Sequence, residues 1–188
     1  MKMNFIKKHG SNVLFGCFII LLIIPQTRIP IQVFLQRTIS LSPSEILKED
    51  RIVLKSYNWN LIDTTSKSLN LKQSKGSVIL INYWATWCPP CIAEMPAMQN
   101  LYDLYGNQVD FYFITNDDPN KVSNYLKTEN YKLPVYFQAG KSPVILESNS
   151  LPTTFLLSKE GEIVMKKVGA ARWNASKVHH TIDKLLLE

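Results

Sequence analysis

The sequence predicts an α/β protein with a mixed central β-sheet flanked by helices on both faces, preceded by a β-hairpin and an N-terminal membrane anchor. From residue 57 onward, runs typical of strands and helices follow in the order β-α-β-α-β, then a β-hairpin and a last helix. Residues 78–83 (VILINY) are apolar almost throughout, as expected of a strand buried on both faces. With 188 residues, 46% hydrophobic and 19% charged, the chain can form one domain with a core.

The N-terminal segment, residues 1–37, has the layout of a signal peptide or signal anchor. Three lysines precede a 12-residue apolar run (VLFGCFIILLII), which is shorter than the roughly 20 residues that span a bilayer. No small-x-small cleavage site follows, and a second apolar stretch at 29–35 would lengthen an anchor at the membrane interface. We therefore favour an uncleaved anchor over a removed signal peptide, with the domain facing the periplasm or cell exterior. Cys17, inside the run, is interpreted as a membrane-buried thiol.

The net charge of +6 is concentrated in the same N-terminal segment. Residues 1–37 hold five Lys and Arg and no acid, so the rest of the chain has 16 basic residues against 15 acidic ones. A globular part so close to neutral lacks the basic surface that binds DNA or RNA. We predict no nucleic-acid partner.

The remaining elements follow from periodicity and turn residues. Residues 38–56 combine mixed charge with weak periodicity, which indicates a linker with a short helix at 43–50, and the domain is expected at 57–188. Its strands are predicted at 57–62 and 68–71, which form a hairpin, and at 78–83, 109–114, 134–137, 153–157 and 163–168. Its helices are predicted at 89–104, at 119–129 with Asp118 as N-cap, and at 174–187 with Asn174 as N-cap.

Residues 84–96 (WATWCPPCIAEMP) contain two of the three cysteines, at the point where the strand 78–83 leads into a helix. A four-ligand zinc site would need further ligands at suitable spacing, and the domain offers only the adjacent His179 and His180. A purely structural disulfide that closes so short a loop would restrain the unfolded chain very little. A redox-active pair explains the placement best, because each cysteine then has a distinct task.

The two cysteines differ in their position on the predicted helix. Cys88 lies where the helix begins, and the unpaired N–H groups and helix dipole there stabilise a thiolate, which is the nucleophilic form. Cys91 lies three residues further, over the same helix face, close enough to attack Cys88 and resolve a mixed disulfide. Pro89 and Pro90 suit the first helical turn, whose N–H groups have no acceptor within the helix. We predict that Cys88 attacks and Cys91 resolves.

These residues carry a resemblance to a known family. The stretch WATWCPPC after VILINY, with LPTTF at 151–155, resembles the thioredoxin fold. The pattern Cys-x-x-Cys-x-x-Glu-x-Pro at 88–96, together with the N-terminal anchor, resembles the TlpA/ResA branch of membrane-tethered, extracytoplasmic thiol-disulfide oxidoreductases. The resemblance covers about residues 57–188.

The resemblance implies a substrate site beside the cysteines. It implies that Pro152 is a cis-proline whose loop, which includes Leu151, packs beside the disulfide and binds the substrate chain. It also implies that Trp84 and Trp87 form an apolar collar around Cys88. Core packing explains Trp84 equally well.

The resemblance also implies an acid that exchanges a proton with the resolving cysteine. Glu94, one helical turn past Cys91, matches the acidic residue of this branch, and burial would raise its pKa. The alternative is a solvated glutamate on the helix surface. Cytoplasmic thioredoxins carry a buried Asp in the strand before the motif, where this chain has Asn82, so Glu94 is the remaining acid for that task. Pro96 is expected to kink the helix.

The predicted function is an extracytoplasmic disulfide reductase that acts on protein cysteines, with apocytochrome c as the specific substrate expected from the resemblance. Such a reductase works in an oxidising compartment, so it needs a membrane electron donor of the thiol type. We predict no cofactor and no metal. The first alternative is a disulfide-donating oxidase that uses the same residues. A copper-binding assembly factor, using the cysteines with His179 or His180, is a more distant alternative. A peroxidase would need a Thr-x-x-Cys setting, which the sequence lacks.

Overall fold

The computed structural model describes Gly10, Asn12 and residues 14–16, 18–21 and 23–188. Cys17, which we predicted to be a membrane-buried thiol, lies outside the described residues. The helical region before the domain is sharply bent, since the segments Leu14–Leu21 and Gln26–Ile39 meet at 82°. Neither helical segment of the described part is long and apolar enough to cross a bilayer alone, whereas the bent pair meets the requirements of length and composition.

In the part of the chain that the structure describes, seven strands form one mixed sheet. They are β1 (Asn60–Asp63), β2 (Ser68–Asn70), β3 (Val78–Tyr83), β4 (Val109–Thr115), β5 (Val135–Gln138), β6 (Thr153–Leu157) and β7 (Ile163–Val168). Their order across the sheet is β2-β1-β5-β4-β3-β6-β7. The pairs β3–β4 and β4–β5 are parallel, and the other neighbours are antiparallel. The predicted mixed sheet is confirmed, and the bounds of β3, β6 and β7 agree with the predicted ones.

After the segment Leu14–Leu21, the described residues form four α-helices: α1 (Pro25–Ile39), α2 (Pro89–Tyr105), α3 (Pro119–Thr128) and α4 (Ser176–Leu187). Helix α2 joins β3 to β4, and α3 joins β4 to β5, so both crossovers step in the same direction across the sheet. Right-handed crossovers of this kind place both helices on one face. Buried side chains from all three domain helices, such as Met95, Val122 and Ile182, pack there with Leu80 of β3.

The opposite face of the sheet is covered by shorter elements. Two 3₁₀ helices, Leu71–Ser74 and Val144–Leu146, contribute Leu71 and Leu146 to a second buried cluster that includes Ile81 of β3. The helices expected on both faces are therefore α-helices on one face and 3₁₀ helices on the other. Because β3 is buried on both faces, all six of its side chains are buried.

Residues 38–56, predicted to be a linker, lie along the domain. Helix α1 continues to Ile39, and the predicted short helix at 43–50 is only a 3₁₀ turn, Lys48–Asp50. Isolated bridges join Glu45 to Met165 and Val53 to Glu162. These contacts cover the outer edge of β7, which would otherwise present unpaired backbone groups.

The ends of the helices test the predicted caps. Asp118 caps α3 as predicted, because its side chain accepts hydrogen bonds from the N–H groups of Asn120 and Lys121, both at 3.0 Å. The predicted cap of the last helix is wrong, since α4 begins at Ser176 with Ala175 as N-cap and no side-chain cap bond. A backbone turn precedes the helix there, with the Ala175 N–H 3.3 Å from the Arg172 carbonyl oxygen, and this turn delays the helix start.

Gly161 offers a test of how the segment from Leu54 to Tyr57 packs against the turn between β6 and β7. Its φ is +81°, and a Cβ there would clash with Tyr57 Oη, while the Leu54 N–H donates to the Gly161 carbonyl oxygen at 2.8 Å. Gly161→Ala is expected to lower the free energy of unfolding by about 1–3 kcal/mol more than the control Gly76→Ala. Gly76 has a similar φ of +91° and open space around it, so it reports the backbone cost alone. Equal losses in denaturant titrations would contradict the close packing.

Candidate active site

The strand β3 ends in a loop that places Cys88 at the N-cap of α2. Cys88 and Cys91 form a disulfide, with their Cα atoms 5.2 Å apart. The Sγ of Cys88 accepts a hydrogen bond from the Cys91 N–H at 3.3 Å, so the sulfur occupies the place of a capping oxygen. Negative charge on that sulfur would be stabilised by the helix dipole. Cys91 is fully buried, and Cys88 is 4% exposed.

Asp117, which sequence reasoning missed, holds the loop before Cys88. Its Oδ2 accepts hydrogen bonds from the Thr86 hydroxyl and from the Thr86 N–H, the latter at 3.1 Å. Desolvation opposes ionisation of Asp117, but the hydrogen bonds from Thr86 and from the Asp118 N–H outweigh it and hold the pKa of this carboxyl below its usual range. No sequence motif indicates this contact, because Thr86 and Asp117 follow different strands.

The loop of Pro152 lies at the same end of the sheet as the cysteines. The Leu151–Pro152 peptide bond is cis, as the resemblance implies. Tyr83, at the end of β3, pairs with Thr153, at the start of the antiparallel β6. The proline loop and the cysteine loop therefore emerge side by side from neighbouring strands. The Pro152 carbonyl oxygen accepts a hydrogen bond from the Gly169 N–H at 2.9 Å.

The two tryptophans have different surroundings. Trp87 is 67% exposed, whereas Trp84 is 1% exposed and packs in the core against Tyr125, with ring centroids 5.7 Å apart. Both line an open cavity of about 370 Å³ together with Leu151. Trp84 is thus a core residue that also reaches the cavity, and Trp87 is an exposed apolar side chain directly before Cys88.

Glu94 is buried, so the alternative of a solvated helix residue is wrong. Its Oε1 accepts a hydrogen bond from Asn82 Nδ2 at 2.8 Å, and its Oε2 accepts one from the Ala171 N–H at 3.2 Å. Burial raises the pKa of Glu94 to about 8, against the opposing effect of donors from Asn82, Ala171 and Trp173. The indole N–H of Trp173 is buried and faces the carboxyl without completing a regular hydrogen bond.

The same carboxyl should make stability depend on pH. Glu94 titrates near 4.5 when unfolded and near 8 when folded, so between these values the folded state binds the extra proton and stability falls as pH rises. The slope reaches about 1.4 kcal/mol per pH unit. Relative to Glu94→Gln, the wild type is expected to lose stability between about pH 5 and pH 8 in denaturant titrations of the oxidised protein. Parallel stability curves for the two proteins would contradict a protonated, buried Glu94.

Other residues near Glu94 were not found from the sequence. Asn82 Nδ2 also donates to Thr154 Oγ1 at 2.8 Å, because Asn82 and Thr154 are register partners on β3 and β6. Residues 84–96 gave no indication of Thr154 or Ala171. The polar Asn82 within an apolar strand was the available signal for a buried polar network.

The histidines of α4 lie in a different setting. His179 Nε2 is 3.2 Å from the Asn174 carbonyl oxygen, and its ring lies 5.7 Å from that of Tyr105. Within the described residues, no group of three or more His, Cys, Asp or Glu side chains is arranged to hold a metal ion. The copper hypothesis therefore has no ligand cluster in this part of the chain.

Comparisons with known proteins agree with this geometry. A family model described as Redoxin matches residues 48–185. The chain is 36% identical over 115 residues to the thiol-disulfide oxidoreductase ResA of Bacillus cereus, a match that covers 60% of this chain and 66% of that protein. It is 32% identical over 125 residues to ResA of Bacillus subtilis, covering 65% of this chain and 69% of that protein.

The fold has relatives among solved structures. A secreted thiol-disulfide isomerase from Corynebacterium glutamicum matches with a TM-score of 0.60 at 15% identity, covering 77% of this chain and 91% of that one. At this identity the likeness concerns the fold alone. The family match extends over most of the sequence and includes both cysteines. The chain therefore belongs to the Redoxin family, as a thioredoxin-fold protein of the thiol-disulfide oxidoreductase class.

Proposed function

We propose that this chain is an extracytoplasmic disulfide reductase that acts on protein cysteines through Cys88 and Cys91. The observation that carries the proposal is a fully buried Cys91 one helical turn from a buried, protonatable Glu94. A buried thiol cannot exchange its proton directly with water, so a buried group that can take up and release a proton is needed for exchange to proceed. Glu94 is that group.

The reaction starts from the reduced pair. The Cys88 thiolate attacks one sulfur of a substrate disulfide, forming a mixed disulfide, and the other substrate sulfur leaves as a thiolate. The Glu94 carboxylate takes the proton from Cys91, and the Cys91 thiolate then attacks Cys88 Sγ. The Cys88–Cys91 disulfide forms, and the second substrate sulfur leaves as a thiolate. Two electrons have passed to the substrate, whose two thiolates take up protons from solvent, while Glu94 keeps the proton that Cys91 gave up.

The substrate chain is proposed to lie across the loop of Pro152. The adjoining cavity, with Trp87 at its exposed rim and Trp84 and Leu151 in its lining, gives room for residues that flank the substrate cysteine. Backbone groups of the cis-proline loop would hold the substrate as an extended strand. Oxidised cysteines of extracytoplasmic proteins are the proposed substrate class, with apocytochrome c as the specific substrate.

Residues 1–37 are proposed to tether the domain to the outer side of the cell membrane. Three lysines followed by an apolar run support this orientation, and the bent helical pair has the length and composition of a broken span. A reductase outside the cell must be reduced again after each turnover. We therefore propose a membrane protein with a reactive thiol pair as electron donor.

The reduction potential of the Cys88–Cys91 pair tests the direction of electron flow. Residues 38–188 would be equilibrated in graded thiol buffers at pH 7, and free thiols counted by alkylation and mass spectrometry. A potential near that of thioredoxin, about −270 mV, would support the reductase. A potential near that of DsbA, about −120 mV, would mean a disulfide-donating oxidase and remove the cytochrome assignment.

A further inference from the structure

Asn82 is the side chain that links α2, the helix of Cys91 and Glu94, to β6, the strand that follows the loop of Pro152. It is fully buried on the helix-covered face of β3, and its Nδ2 donates to Glu94 Oε1 and to Thr154 Oγ1, both at 2.8 Å. Its Oδ1 is buried without a hydrogen-bond partner. A buried, unpaired acceptor is costly, so its presence beside a titrating acid calls for an explanation.

The hydrogen-bonding groups around Glu94 suit its ionised form, although burial favours the protonated one. Asn82 Nδ2, the Ala171 N–H and the Trp173 indole N–H all present donors to the carboxyl. Donors stabilise a carboxylate, whereas a protonated carboxyl carries an O–H that needs an acceptor. None of these three groups can accept that proton.

The charged and titratable groups near Glu94 come from three elements. Arg37 of α1 and Arg172 of the loop before α4 line a cavity of about 230 Å³ that Glu94 also lines. Arg37 Nε donates to the Ala93 carbonyl oxygen at 3.3 Å. Cys91 precedes Glu94 on α2, while β3 and β6 present the uncharged Asn82 and Thr154. Among these side chains, only Asn82, Thr154 and Cys91 can accept a hydrogen bond from the protonated Glu94.

A half-turn of the Asn82 carboxamide supplies that acceptor. It exchanges the positions of Nδ2 and Oδ1, so the oxygen would face Glu94 and Thr154 at the present distances. The protonated carboxyl then donates to Oδ1, and the Thr154 hydroxyl, which can rotate, donates to the same oxygen. The unpaired Oδ1 is replaced by an unpaired NH₂ group, so each orientation leaves one polar group unsatisfied.

We propose that Asn82 is a positioning residue for Glu94 whose side-chain amide turns over whenever the acid gains or loses a proton, so that both charge states are hydrogen-bonded. This inference rests on the proposed function, in which Glu94 exchanges a proton with Cys91. The amide holds the proton on Glu94 while Cys91 is in a disulfide and holds the carboxylate in place when Cys91 needs a base. An aspartate there would add a second carboxyl at 2.8 Å, and a leucine would provide neither donor nor acceptor.

The amide itself can be observed in the oxidised wild type by NMR. With ¹⁵N on the Asn82 side chain and ¹³C on the Glu94 carboxyl, a pH titration is expected to move both signals with the same midpoint. The Asn82 NH₂ protons should lose their contacts to Thr154 as Glu94 becomes protonated. A titrating Glu94 with unchanged Asn82 to Thr154 contacts at both ends would overturn the proposal.

Two variants separate positioning from general destabilisation. The rate at which a preformed mixed disulfide on Cys88 is resolved would be measured against pH. In Asn82→Leu Glu94 loses its hydrogen-bond partner in both charge states. The midpoint of the pH–rate curve is expected to move to higher pH, because the bond to the carboxylate is charge-assisted and stronger than the bond from the neutral carboxyl. A midpoint that lies one pH unit higher makes the rate below it about tenfold slower. In Thr154→Val the hydrogen bond between Thr154 and Asn82 is lost in both orientations of the Asn82 amide. The free energy of unfolding should therefore fall, while the midpoint of the pH–rate curve stays at the wild-type value.

The same assay distinguishes a failure of this inference from a failure of the proposed function. In Glu94→Gln the midpoint should move to the higher pH at which Cys91 loses its proton unaided. An unchanged midpoint in Glu94→Gln would refute the proposed role of the acid. A displaced midpoint in Glu94→Gln with a wild-type midpoint in Asn82→Leu would refute the role of Asn82 alone.

Discussion

Replacement of Cys88 by serine is expected to lower the rate of disulfide exchange on the order of 10³-fold or more, as the loss of a catalytic nucleophile does. The reason is that Cys88 Sγ lies at the N-cap of α2, where the helix dipole and the Cys91 N–H at 3.3 Å stabilise a thiolate. Cys91 cannot take over the attack, because it is fully buried. The measurement is the reduction of insulin disulfides in the presence of dithiothreitol.

Cys91→Ser is the matched variant, since it removes the other sulfur and leaves the attacking one in place. It is expected to accumulate a covalent mixed disulfide with substrate protein, which a non-reducing gel and mass spectrometry would identify. A mixed disulfide that forms in Cys88→Ser and not in Cys91→Ser would reverse the assigned roles. Its absence from both variants would refute the exchange mechanism.

The parts of the fold that depend on local sequence were predicted well. The strand β3 was predicted with its observed bounds, because an apolar run buried on both faces is distinct from its flanks. The start of α2 followed from Pro89 and Pro90, which fit only the first turn of a helix. Asp118 was recognised as a cap because it directly precedes Pro119.

The parts that depend on contacts between distant residues could not be predicted. Asn82 and Thr154 are neighbours only through the antiparallel register of β3 and β6, which the sequence does not reveal. The Thr86–Asp117 contact joins loops after two different strands. Residues 38–56 have little periodicity of their own, and their bridges to the edge of β7 come from tertiary packing. The burial of Glu94 likewise depends on Ala171, 77 residues away along the chain.

Glu94→Gln is expected to slow the resolution of a mixed disulfide by about 10²-fold at pH 7, the lower end of the effect of general acid-base catalysis. Glutamine keeps the size and polarity of the side chain but cannot take the proton of Cys91. In the wild type the rate should rise with pH until Glu94 is ionised, near its pKa of about 8. In the variant the rise should come at higher pH, because burial disfavours the Cys91 thiolate.

The measurement is single-turnover release of a fluorescent peptide held as a mixed disulfide on Cys88, followed by stopped flow from pH 6 to pH 9. Asp103→Asn is the control, since it removes one negative charge from the exposed side of the same helix, where Asp103 accepts a hydrogen bond from Gln99 at 2.7 Å. An equal loss in both variants would point to the net charge of α2 rather than to proton transfer. A loss specific to Glu94→Gln, with a displaced pH profile, requires the buried carboxyl itself, because above about pH 8 each variant removes one negative charge and the two differ in burial and proximity to Cys91.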